Sequence, residues 1–355
     1  MKKRFLITML LMLAASLAAS LAAGAQPCDG GDTACLEKQV NGHAVRQMRF
    51  WEQYFALPIE QRVNVAPKEV VEYINLDNRL QGYPEDTKLA DVSGDFLGDV
   101  KNAVKGIPGG IANVMKGKLA GVFLVNDLGG TGYTEYISDE KGRRVAGFIV
   151  LDAGVLKGRK ANEWATWKES TPFAGDMDHR IEVVIERGPD DNRQQAIQYI
   201  LLHEIGHVIS VNETIHPPWG VAPEELGNIN EYRFFSESWL VDMKQGKYAS
   251  RFDGKTFPRR KEVVYYQKPA LAARQMAEVY GQLEKTNFVS LYAATHPADD
   301  WAESFVTYVH GVLLKKPFRV NITNKGKLVK SFELCWGTTR CASKEALMKK
   351  LLKGD

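Results

Sequence analysis

The sequence is poor in cysteine and, once its first residues are set aside, has no net charge. Four cysteines occur in 355 residues. None forms a C-x-x-C pair, which argues against a thiolate metal site. They fall into two close pairs instead, Cys28 with Cys35 and Cys335 with Cys341. In an exported chain, pairs of this kind near both ends read as two small disulfide loops, with metal ligation as the alternative. There is no internal repeat and no low-complexity tract. Hydrophobic content of 45% and charged content of 25% are those of an ordinary globular protein. The length allows one large domain or two modest ones.

Excess charge of one sign is missing as well. Lys and Arg number 46 against 43 Asp and Glu. Three of those bases, Lys2, Lys3 and Arg4, precede the uncharged run "FLITMLLMLAASLAASLAA" and an A-x-A site at Ala23-Gly24-Ala25. This pattern predicts a secretory signal peptide over residues 1–25. An uncleaved anchor is the alternative, since the run is long enough to span a bilayer. Gln26-Pro27 stand between the cleavage site and Cys28, which argues against lipidation. The mature chain then balances at 43 against 43. Nothing in it calls for nucleic acid or for stable membrane insertion after signal cleavage. The expected location is exported, periplasmic or secreted.

Residues 26–118 read as a mainly helical region. Apolar spacing, Pro67 and the break at Pro108-Gly109-Gly110 mark its helices. After Gly121 the texture changes to short β-branched runs, "GVFLVNDLG", "TEYISDE", "RVAGFIVLDAGVL" and "HRIEVVIERG", which read as strands. "PDDN" follows, with a helix cap expected at Asp190 or Asp191, and then the helical "RQQAIQYILLHEIGHVIS". Further helices are expected over 230–244, 268–284 and 299–314. A basic amphipathic tail helix is expected to be solvated. The predicted class is α+β, a mixed sheet beside a long helix with a helical C-terminal subdomain. The expected divisions are 26–118, a catalytic domain over 119–334, and a disulfide loop with tail helix over 335–355.

The informative stretch is "QYILLHEIGHVISV", which contains His203-Glu204-Ile205-Gly206-His207, the pattern H-E-x-x-H. On a helix, residues four apart share a face. His203 and His207 can therefore grip one Zn²⁺, and Glu204 sits beside them as a general base for a zinc-activated water. Gly206 is expected to clear space between the ligands. A catalytic zinc site needs a third protein ligand. The extended pattern H-E-x-x-H-x-x-G-x-x-H fails after His207. His216, Glu224 and Glu225 are minor candidates. The stronger one is "SLYAATHPADDWAESF", where Asp299 and Glu303 lie four apart. One would bind the metal and the other would orient a ligand histidine.

These two segments resemble the gluzincin metallopeptidases, most closely the catalytic domain of the anthrax lethal factor type. That family pairs H-E-x-G-H with a later Y-x-x-T-N-x-x-E-x-[FW]-A-E. Here Tyr292, Thr295, Asp299, Trp301, Ala302 and Glu303 stand at matching positions, with His296 in place of the Asn. Asp299 replaces the metal-binding Glu and is one methylene shorter; Asp299 is the preferred third ligand, with Glu303 taking over if the helix does not come close enough. The resemblance implies a zincin-like fold. It also implies a catalytic Tyr292 that stabilises the oxyanion, with His296 as a lesser candidate for the same work. By fold analogy, the strand "GFIVLDAGVL" is expected at the sheet edge above the site, where a peptide could add as a strand. The resulting expectation is an exported zinc metallopeptidase acting on a peptide or protein. The alternatives are a zinc-binding, non-catalytic envelope protein and another zinc hydrolase such as a cell-wall amidase.

Overall fold

The computed structural model describes Cys28 and residues 32–353. The signal peptide expected over residues 1–25 lies outside them. The chain enters through α1 (Thr33–Gly42), α2 (Met48–Phe55), β1 (Val63–Val65) and α3 (Lys68–Gln81). α3 starts directly after Pro67. It closes at Gly82, whose φ of 74° is the left-handed conformation that ends a helix without a Cβ clash. β2 (Lys88–Leu89), α4 (Gly94–Lys105) and α5 (Gly109–Lys118) follow. Pro108 separates the last two helices because it cannot continue a helical hydrogen-bond ladder.

Three strands come next, β3 (Leu119–Asn126), β4 (Gly132–Ser138) and β5 (Arg144–Asp152). The sheet order is β1-β3-β5-β4, with β2 paired to the end of β3. β1, β3 and β5 run parallel, and β4 is antiparallel to β5. The sheet is therefore mixed, but "GFIVLDAGVL" is not its edge: β5 is internal, and β4 is the outer strand. The hairpin from β4 to β5 carries the chain inward. Hydrophobic periodicity does not encode that choice.

Side chains alternate between two cores along these strands, as a period of two requires. Val122, Leu124, Ile149 and Leu151 face one core. Phe123, Val125, Phe148 and Val150 face the other, where Trp51, Val70 and Tyr73 of α2 and α3 cover them. Both faces are thus buried, whereas the sequence suggested a sheet covered by one long helix.

α6 (Ala153–Leu156), α7 (Ala161–Ser170), β6 (Phe173–Ala174) and β7 (His179–Val184) lead to the motif helix α8 (Arg193–Ile209). Its cap is Asn192, whose side chain accepts from the Gln195 N–H at 3.1 Å. The expected cap residue Asp191 instead accepts from the Asn162 N–H. α8 is buried from Ala196 to Val208, so it runs through the core rather than along the surface.

The C-terminal part contains α9 (Arg233–Ser238), β8 (Trp239–Asp242), β9 (Lys247–Ser250), β10 (Leu271–Ala272), α10 (Met276–Leu283) and α11 (Pro297–Tyr308). A π-helical turn, Val309–Leu313, extends α11. β11 (Arg319–Asn324), β12 (Lys327–Glu333) and α12 (Ala342–Lys353) complete it. The helix expected over 230–244 stops at Ser238. Trp239, Leu240 and Val241 prefer the pleat and pair with β9 through a turn at Gly246, φ 59°. Within 268–284 only Met276–Leu283 is α-helical. β7 leaves the main sheet and joins β11 and β12 in a separate three-stranded sheet.

The tail helix is docked, not solvated: Met348 and Lys344 are fully buried. Lys344 Nζ lies 2.6 and 2.7 Å from the two carboxylate oxygens of Asp300. Both disulfides, Cys28–Cys35 and Cys335–Cys341, are formed. Packing runs through residues 118 and 334, since Val63, Phe96, Ile205, Phe305 and Met348 share one core. Among the described residues no helix is long and apolar enough to cross a membrane.

Candidate metal centre

α8 and α11 cross at Gly206. A Cβ there would lie 3.1 Å from Ala302 Cα and 3.3 Å from Phe305 Cβ, tighter than ordinary contact. Gly206 therefore sets the close approach of the two helices, which corrects the expectation that it clears space between ligands. Trp301 Nε1 locks the crossing by donating to the Gly206 carbonyl at 2.7 Å. The approach carries Asp299 to the histidines. Its Oδ1 lies 3.9 Å from His203 Nε2 and 3.7 Å from His207 Nε2. The three ligand atoms fall within 4.8 Å of one another.

This set fits a zinc ion. Tetrahedral bonds of about 2.0–2.2 Å place ligand atoms roughly 3.3–3.6 Å apart, so the two Asp299 distances are within a few tenths of an ångström of that geometry, while the widest separation, up to 4.8 Å, must close further. The chemistry of Asp299 also fits. It is buried, and among the described residues its one side-chain hydrogen bond is a long 3.4 Å contact from Thr295 Oγ1. Burial pushes its carboxyl up to about 7 despite the nearby His203, and the charges of Glu303 and Glu204 add to the rise. A carboxylate so poorly compensated among two imidazoles becomes favourable with a divalent cation between them.

Glu303 is held differently. Lys168 Nζ donates to its Oε1 at 2.7 Å and Ser290 Oγ donates to its Oε2 at 2.6 Å. Its Oε1 also lies 2.9 Å from His203 Nδ1, close but off the ring N–H direction. Burial alone would raise the Glu303 carboxyl, but Lys168 and His203 hold it well below the ordinary range. In His203 burial opposes protonation, and Glu303 outweighs it. His207 is driven well below its ordinary value by burial and by His203. His207 Nδ1 has no protein partner among the described residues.

Glu204 is fixed by the edge strand. Thr134 Oγ1 on β4 donates to its Oε2 at 2.6 Å, and a Cβ on Gly132 would lie 2.7 Å from its Oε1. Burial raises the Glu204 carboxyl. The Tyr292 ring lies 5.7 Å from that of His203, under the Lys168 ammonium at 4.4 Å.

The remaining candidates are elsewhere. His216 is buried with both nitrogens engaged, Nδ1 with Pro217 O at 2.8 Å and Nε2 with Ser210 Oγ at 3.0 Å. Glu224 and Glu225 are exposed, and Glu225 accepts from the Ala222 N–H. His296 caps α11, its Nδ1 accepting from the Ala298 N–H at 3.2 Å, and its ring packs 4.2 Å from that of Trp219. An Asn in its place would also be a helix cap, which accounts for the exchange. Lys168, Thr134 and Ser290 went unnoticed in the sequence. Only Ser290 carried a local signal, being the first residue of the acidic segment.

A cleft of about 450 Å³ runs from the cluster along β4. Its far wall includes Arg46, Tyr73 and Asp77 of the N-terminal region. Tyr73 Oη and Tyr133 Oη both donate to Glu135 Oε2, at 2.5 and 2.6 Å, which ties that wall to the strand.

Residues 262–332 match the model of the family described as "Putative zinc-binding metallo-peptidase". The matched segment contains Tyr292, Asp299 and Glu303 and begins after α8. It supports a zinc metallopeptidase and does not single out the lethal-factor type. No curated protein and no solved structure matches the chain.

Proposed function

We propose that this protein is an exported zinc metallopeptidase of zincin-like fold that hydrolyses peptide bonds in a peptide or protein. The observation that carries the reading is the convergence of His203, His207 and Asp299 within 4.8 Å, with Glu204 anchored beside them. In this reading His203, His207 and Asp299 hold the metal, and Glu303 orients His203 through Nδ1. When bound, Zn²⁺ supplies Lewis acidity toward a water and toward the scissile carbonyl.

The chain supplies the rest. Thr134 aims one oxygen of Glu204 by hydrogen bonding the other, so a single carboxylate oxygen is free to take the proton of the attacking water. The burial that raises this carboxyl also makes it a better base, and it hands the proton on to the leaving amine. Tyr292 stabilises the developing oxyanion. β4 presents its outer edge beside Glu204. Among the described residues only a bridge from Gln47 occupies that edge, at Ser138. A substrate in extended form adds there as a further strand.

The test is Glu204→Gln in the zinc-loaded mature protein, assayed on a mixed peptide library. Zinc content should stay at one per chain while hydrolysis falls at least a hundredfold. Hydrolysis that persists in Glu204→Gln would end the reading.

A further inference from the structure

A second, smaller pocket opens beside the centre. It shares His203 and Glu204 with the cleft, and its volume is about 140 Å³. A cavity of about 150 Å³ admits one benzene ring, so this pocket has room for one ring-sized side chain. Its walls are aromatic: Trp164, Tyr199, Tyr266 and Tyr292. Tyr266 stands at the mouth, 36% exposed, with a φ of 60° that is unusual for a bulky residue.

Tyr199 lies one turn before His203, on the same face of α8. It is 3% exposed, and its ring is fixed edge-on against His310 at 5.0 Å and tilted against Trp164 at 5.8 Å. His310 is itself held by the carbonyls of Ile185 and Pro317. Tyr199 is one of the residues that line the pocket, and its hydroxyl is buried with no protein partner among the described residues. A buried hydroxyl in a rigid position calls for a hydrogen-bond partner.

The charges also narrow the occupant. Lys168 and Glu303 line the pocket as a closed ion pair of 2.7 Å, so they cancel. An acidic occupant would face Glu303 and Glu204, and a basic one would face Lys168. The one carboxylate on the wall without an ion-pair partner, Glu204, is anchored by Thr134 and is the base of the peptidase reading, so an acidic occupant has no countercharge to meet and a basic one would compete for that base. The pocket suits a neutral ring that carries a polar atom.

We infer that this pocket receives the side chain of the substrate residue next to the scissile bond and selects tyrosine. The inference rests on the peptidase reading above and adds its specificity. Phenylalanine ranks second, and charged residues are rejected. The preference for tyrosine over phenylalanine should be three- to tenfold, the range that one net hydrogen bond gives.

Two measurements separate this inference from the reading it rests on. The first is kcat/KM of the zinc-loaded enzyme on peptides that differ only in Tyr, Phe, Lys or Glu beside the scissile bond. Tyr should exceed Phe by three- to tenfold and the charged residues by a hundredfold or more, and Tyr199→Phe should bring the Tyr-to-Phe ratio to about one. The second is calorimetric titration of zinc-loaded Glu204→Gln with N-acetyl-tyrosinamide, N-acetyl-phenylalaninamide and N-acetyl-lysinamide. Tyrosinamide should bind tightest. Ile200→Phe, which fills the pocket from α8, should abolish its binding. If peptides are cleaved with no aromatic preference, or with a preference for charged residues, the inference is overturned and the peptidase stands. If nothing is cleaved but tyrosinamide binds and Ile200→Phe abolishes the binding, the pocket stands and the peptidase falls. If nothing is cleaved and nothing binds, both are overturned.

Discussion

In the proposed reading the contact between Lys168 and Glu303 joins stability to metal binding, and substitutions can separate the two. The side chains are 7% and 1% exposed and 2.7 Å apart. Removing one partner leaves the other charge buried and unpaired, which costs about 3–5 kcal/mol. In a chain of this length that lowers the melting temperature by roughly 5 °C. Lys168→Met and Glu303→Gln should therefore both destabilise the protein in chelator by this amount. Replacing both partners with apolar residues, Lys168→Met with Glu303→Leu, should return stability to within about 1–2 kcal/mol of wild type. Zinc affinity should behave differently. Glu303 is the residue at His203 Nδ1, 2.9 Å away, and loss of such a partner lowers affinity about 10–100-fold. The double variant should thus recover its stability but not its affinity. Thermal unfolding in chelator and competitive zinc titration read the two quantities. If Glu303→Gln holds zinc as tightly as wild type, Glu303 does not orient His203. If the double variant stays as unstable as the singles, the ion pair is not what makes them unstable.

Other outcomes follow from the same structure. Asp299→Ala should hold less than a tenth of the wild-type zinc by elemental analysis while remaining folded, and full occupancy would remove Asp299 from the ligand set. Gly206→Ala should push α11 away from α8 by a few tenths of an ångström and weaken zinc binding about tenfold or more, since a Cβ there meets Ala302 Cα at 3.1 Å. Burial holds His216 and His310 down to about 4, against an ordinary 6.5. Because the folded values lie below the unfolded one, their stability contribution is complete above pH 6.5 and is lost as pH falls toward 4. Each should cost about 2 kcal/mol between pH 6.5 and 5, and unfolding free energies that stay level across that window would contradict this.

How much of this was legible in the sequence depended on distance along the chain. The histidines of α8 could be read because two residues four apart share a helix face whatever surrounds them. The segment from Ser290 to Phe305 could be read for the same reason, as could the two short disulfide loops and most of the alternating strands. The division between Asp299 and Glu303 was only a preference for Asp299. Both lie on one face of α11, and only the crossing at Gly206 and Trp301 places Asp299 beside both Nε2 atoms and Glu303 behind His203. Lys168 showed no signal at all, because its partner stands 135 residues away.

The edge of the sheet and the docking of α12 belong to the same class. A strand's own pattern reports that it is buried, not which neighbour covers it. An amphipathic tail reports an apolar face, not that Lys344 will reach Asp300 in the interior. The sequence alone thus determined the local elements and the side-chain types they carry. Tertiary structure decided which of those side chains meet, because that depends on helix crossings and strand order set by packing between residues far apart in the chain.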